Sequence, residues 1–185
     1  MNIPARRLIT SSTPSWRGAA PARRRWLAAL SAAWLGTAAW RPATAQPGPV
    51  VGAPLVLPQL PLLGGGRYGE AQASGRVLVL YWWATWCPFC ALQTPRIDAL
   101  WREHRERGLE LLTIAVDKRE STVREYLAAK GYRFPVVLDH PALASALPRP
   151  KGLPVTLLRG RDGRIAVAEA GEMFPEDIAG FAKFL

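Results

Sequence analysis

The chain has 185 residues, 49% apolar and 21% charged, which supplies a sizeable core and excludes wholesale disorder. Most of the net charge of +10 lies at the N-terminus: residues 1–45 hold seven arginines and no acid, leaving 17 basic and 14 acidic residues, a net +3, over 46–185. The bases of the remainder gather on no readable motif, so the charge gives no nucleic-acid-binding signature, and the length suits one ordinary domain.

Residues 1–26 are basic and rich in Ser, Thr, Pro and Ala, and the 14-residue apolar run Leu27–Trp40 leads to the small-residue site Ala43-Thr44-Ala45. That order predicts a signal peptide over 1–45, cut after Ala45 for export to a periplasm. An uncleaved inner-membrane anchor is the alternative, although the run is shorter than the ~20 residues of a spanning helix. Residues 46–66, with the short apolar pieces Leu55-Val56-Leu57, Leu60 and Leu62, read as a linker followed by an edge strand punctuated by Pro58 and Pro61. Gly64-Gly65-Gly66 is a turn, since no Gly-Lys-Ser/Thr follows to make a phosphate loop.

From residue 67 to 185 strands and helices alternate. Val77–Trp83 (VLVLYWW) is a strand buried on both faces. Pro88, favoured at a first helical position, opens a helix that runs to about Arg107 and stops at Gly108. Its end, Arg102–Arg107, reads as a solvated face that includes His104. Strands are expected at Leu109–Val116, Val136–Leu138, Val155–Leu158 and Ile165–Ala168, and helices at Glu120–Lys130, Ala142–Leu147 and Pro175–Leu185. Asp162-Gly163 signals the last hairpin. The alternation gives an α/β fold with a mixed sheet.

The chemistry lies in Trp86-Cys87-Pro88-Phe89-Cys90, which holds the only two cysteines. Two intervening residues close too small a loop to staple a fold, so an exported C-x-x-C reads as a redox-active pair. Disulfide exchange needs a thiolate. Cys87 sits at the expected helix N-terminus, where unpaired N–H groups and the macrodipole favour an anion, so its pKa should be depressed. Cys90, one turn on, lies on the same side and can resolve a mixed disulfide. Cys87 is thus the nucleophile and Cys90 the resolving thiol, with Pro88 and Phe89 tuning the pair. A zinc site would need two further ligands from the dissimilar contexts of His104 and His140, so no metal is expected, nor any other cofactor.

Trp83-Ala84-Thr85-Trp86-Cys87-Pro88-Phe89-Cys90, with Pro95 five residues on, resembles the TlpA/ResA-like thiol–disulfide oxidoreductases of the thioredoxin superfamily. Weaker matches are Gly52-Ala53-Pro54, Leu153-Pro154-Val155-Thr156 and Asp162–Ile165, and the resemblance runs from about Val51 to Leu185. It implies a thioredoxin-like fold with a helix–strand element inserted at about 118–140. It also implies a cis Pro154 against the dithiol, a Leu153 backbone that pairs with an extended substrate, Trp86 on the docking surface and a helix kinked at Pro95. Two positions depart from the pattern. Tyr81 replaces the buried Asp of thioredoxins, and Gln93 replaces the Glu of the reducing members; Glu169, Glu172 or water could stand in.

The expected enzyme exchanges disulfides with protein thiols, as a reductant that a membrane-bound donor could recharge. A disulfide-forming oxidant and a non-enzymatic thiol-based metal-binding or redox-sensing module are the alternatives. A peroxidase would want Thr three residues before the cysteine, where Ala84 stands and Thr85 is displaced by one.

Overall fold

Val77–Trp83 contains no charge and no turn former, so nothing holds it at a surface, and it takes the centre of the sheet. The structure is a computed structural model that describes residues 49–185. The expected signal segment lies outside the described residues. In chain order the elements are β1 (Leu60–Pro61), β2 (Arg67–Tyr68), α1 (Glu70–Ala73), β3 (Val77–Trp83), α2 (Pro88–His104), β4 (Leu109–Ala115), α3 (Glu120–Lys130), β5 (Val136–Leu138), α4 (Pro141–Ala146), β6 (Val155–Arg159), β7 (Ile165–Ala170) and α5 (Pro175–Ala179). Short 3₁₀ turns follow α2 at Arg105–Arg107 and α5 at Gly180–Phe184.

The main sheet has the order β5-β4-β3-β6-β7. β3 pairs parallel with β4 and antiparallel with β6, so the sheet is mixed. Every residue of β3 is buried. Its alternating side chains feed two cores. Val79, Tyr81 and Trp83 join α2, α3 and α5 through Ile97, Leu100, Val123, Ile178 and Phe181. Leu78, Leu80 and Trp82 join Leu55, Leu57, Leu60 and Leu143 on the other face. The inserted α3–β5 unit docks through aromatic contacts, with the Trp83 ring 5.5 Å from that of Tyr126 and 6.2 Å from that of Phe134.

Two expectations need correction. The first is the extent of the edge strand in 46–66. Leu60–Pro61 forms β1, which pairs with β2 in a separate two-stranded sheet, Pro54 makes an isolated antiparallel bridge to Arg164, and the stretch between them crosses a face of the main sheet. Pro54, Pro58 and Pro61 remove the donors a continuous ladder needs. The Gly52 N–H donates to Ile165 C=O at the start of β7, and the Leu63 N–H donates to Val136 C=O at the start of β5. The segment thus ties the two ends of the sheet, with Leu55, Leu57 and Leu60 buried between.

The second is His104, which is only 7% exposed. It lies four and seven residues beyond Leu100 and Ile97, on the stripe of α2 that faces the sheet. Phe89 and Leu92 face solvent, and the buried stripe is Cys90, Gln93, Thr94, Ile97 and Leu100. His140 caps α4, its Nδ1 accepting from the Ala142 N–H at 3.1 Å.

Candidate active site

β3 delivers the chain to the site. After Trp83 the loop Ala84-Thr85-Trp86 turns, and Cys87 becomes the N-cap of α2 in extended conformation (φ −85°, ψ 114°), with Pro88 at the first helical position. The Cys90 N–H donates to Cys87 Sγ at 3.1 Å. Sulfur therefore plays the part that Ser or Asp plays at other caps, and a negative sulfur there is favoured by the N–H and by the helix dipole. Cys87 and Cys90 are joined as a disulfide, their Cα atoms 5.2 Å apart. Cys87 is 5% exposed and Cys90 1%, so the sulfur that a partner can reach is that of Cys87.

Trp86 and Phe89 stand 69% and 55% exposed on either side of it. A groove of about 990 Å³ runs along Cys87 and is lined also by Trp86, Pro88, Phe89 and Leu153. Leu153–Pro154 is a cis peptide bond. Pro154 is buried, and its C=O accepts from the Gly171 N–H at 2.8 Å. The structure thus gathers Trp86, Cys87, Pro88, Phe89 and Leu153 at one opening. Pro95 does not line it; α2 passes through that residue, on the exposed side, one helical turn beyond Cys90.

Beneath the dithiol the two departures acquire structural partners. The Tyr81 hydroxyl lies 3.1 Å from Thr94 Oγ1 and 3.5 Å from the Cys90 carbonyl, and Thr94 Oγ1 donates to that carbonyl at 2.7 Å. Burial pushes the Tyr81 hydroxyl well above its ordinary range, partly opposed by the Thr94 bond. It stays protonated at neutral pH and cannot serve as a base there. Gln93 is fully buried. Its Nε2 donates to Thr156 Oγ1 at 2.8 Å, and its Oε1 accepts from the Met173 N–H at 2.7 Å. The amide joins α2 to β6 and to the loop after β7. Glu172 is paired with Arg96 at 3.1 Å, and neither Glu169 nor Glu172 lines the groove.

The carboxylate that does line the groove is Asp117. It accepts from Thr85 N–H at 3.1 Å and from Thr85 Oγ1 at 2.6 Å, fixing the loop just before Cys87. That also commits the Thr85 hydroxyl away from the peroxidase arrangement considered above. Sequence reasoning passed over Asp117, whose place at the site follows from strand register. β3 and β4 are parallel with Trp83 opposite Ala115, so residues two beyond each strand end, Thr85 and Asp117, must meet. The carboxyl ends of parallel strands are where α/β sheets place their sites.

Similarity to known proteins gives the class. ResA, a thiol–disulfide oxidoreductase of Bacillus thuringiensis (strain Al Hakam), is 27% identical over 121 residues, covering 65% of this chain and 70% of that protein. The crystal structure of a thiol:disulfide interchange protein of the thioredoxin family from Chlorobium tepidum TLS matches with a TM-score of 0.66. It is 22% identical and aligns 72% of this chain with 96% of its own. StoA from Bacillus subtilis matches at 0.58 with 22% identity, over 72% of this chain and 99% of StoA. The chain is therefore a thiol–disulfide oxidoreductase on a thioredoxin-like fold. By sequence it belongs to the AhpC/TSA family, whose model matches residues 51–167.

Proposed function

We propose that the chain is exported to a periplasm and there reduces disulfides in protein substrates through Cys87 and Cys90. The observation that carries this reading is the unequal setting of the two sulfurs: Cys87 caps α2 at an open groove, while Cys90 is sealed beneath it. The Cys87 thiolate attacks one sulfur of a substrate disulfide, forming a mixed disulfide and releasing the other sulfur as a thiolate. Cys90 then attacks Cys87 Sγ, closing the internal disulfide and releasing the second substrate sulfur. The two protons given up by the cysteines go to the two released thiols, and two electrons pass to the substrate. A dithiol donor, membrane-bound in the simplest arrangement, must then restore the pair.

Among the described residues no hydrogen bond engages the Leu153 backbone. That leaves its N–H and C=O to pair with an extended substrate segment, while Trp86 and Phe89 flank the sulfur. Export is supported by the basic, apolar, small-residue order of residues 1–45 and by the suitability of an oxidising compartment for a lone C-x-x-C.

The test is reduction of insulin disulfides by the mature chain with a dithiol recharging it, together with the midpoint potential of the pair. Cys87→Ser is expected to abolish the activity, and retained activity overturns the reading. A midpoint near the thioredoxin value of about −270 mV supports the reducing direction. One near about −120 mV reverses it to disulfide formation.

A further inference from the structure

Two short basic stretches stand thirty residues apart in the sequence, Lys118-Arg119 and Arg149-Pro150-Lys151. The first follows β4 and the second precedes the cis Leu153–Pro154 bond, and the fold brings both to the groove that exposes Cys87. The groove is lined by four cations and one carboxylate, an excess as large as that of the whole segment 46–185. The carboxylate, Asp117, is held by two hydrogen bonds from Thr85. Arg149 is paired with Asp139 at 3.0 Å. Lys118, Arg119 and Lys151 are exposed and have no ion pair among the described residues. The same groove is lined by the exposed aromatic rings of Trp86 and Phe89.

The groove therefore combines exposed apolar rings with unpaired positive charge. We propose that this groove selects an extended segment of a protein substrate in which Asp or Glu closely flanks the cysteine, with an apolar side chain lying against Trp86 and Phe89. The selection rests on the disulfide-exchange reading above. Unpaired cations at a groove rim act by attracting the partner during encounter, so they govern the rate of mixed-disulfide formation and are screened by salt.

The experiment uses the reduced mature chain and three peptides of equal length. Each carries one cysteine blocked as its mixed disulfide with thionitrobenzoate, and the residues beside that cysteine are acidic, neutral or basic. Attack by Cys87 on the peptide sulfur forms the Cys87–peptide disulfide, breaks the bond to thionitrobenzoate and releases that chromophore. At low salt the acidic peptide is expected to react about tenfold faster than the basic one, with the neutral peptide between them and the spread collapsing at high salt. The triple charge reversal Lys118→Glu, Arg119→Glu, Lys151→Glu is expected to invert the order. Equal rates for all three peptides overturn the proposal and leave disulfide exchange standing. Oxidised glutathione reacting faster than the acidic peptide also overturns it, marking a site for small anionic disulfides. No release from any peptide removes both this proposal and the function it rests on.

Discussion

Gln93 shows how one side chain can change its task while keeping its place. A carboxylate at that position could take a proton from the buried thiol; the amide cannot, and both of its ends are instead used in hydrogen bonds to Thr156 and Met173. A buried amide whose donor and acceptor are both satisfied contributes to stability, and the cost falls on its partners when it is removed. Gln93→Leu leaves the buried Met173 N–H without an acceptor. Urea unfolding of the reduced protein is expected to show a loss of about 1–3 kcal/mol. A variant as stable as the parent would show that the amide does not tie α2 to the loop after β7.

At the scale of elements, the start of α2 decides which sulfur reacts. Cys87 caps the helix and accepts the Cys90 N–H, whereas Cys90 lies inside the first turn and is almost wholly covered. Limited iodoacetamide treatment of the reduced protein at about pH 6 is therefore expected to label Cys87 and spare Cys90, as read by peptide mass mapping. Equal labelling would mean that the cap does not favour one thiolate. The same helix shows what could be read in advance. α3 and β5 have the bounds their sequence announces, because Gly131 stops the helix at φ 69° and Pro135 precedes a short run of valines. β3 was legible because seven apolar residues in a row fit only a strand covered on both faces. β1, β2 and α1 were not, since elements of two to four residues carry no period. In the site, the cysteine pair was legible as local chemistry. Asp117 and the cations were not, because their meeting with Cys87 depends on strand register and on a distant loop. His104 was misjudged because charged neighbours hid its helical phase with Ile97 and Leu100.

For the molecule as a whole, the two cores each contain a buried tyrosine: Tyr81 on the face of α2 and Tyr68 on the other. Burial raises both hydroxyls above their ordinary value of 10.0. The unfolded chain releases those protons near pH 10 while the folded one keeps them, so the unfolded state binds fewer protons and stability falls as pH rises beyond that point. The loss approaches about 1.4 kcal/mol per pH unit for each tyrosine. Urea midpoints between about pH 8 and 11 should trace it, and Tyr81→Phe should flatten the alkaline limb; an unchanged slope would contradict the assignment. The crossing segment 52–63 has a different consequence at this scale. A sheet with open sides offers unpaired N–H and C=O groups to any other strand, including one from a second copy. Here the same stretch of chain occupies a position at the outer side of β7 and another at the outer side of β5. It works as a selvedge stitched at one end of each margin, covering the start of β7 at Ile165 and the start of β5 at Val136, where an added strand would have to begin its pairing.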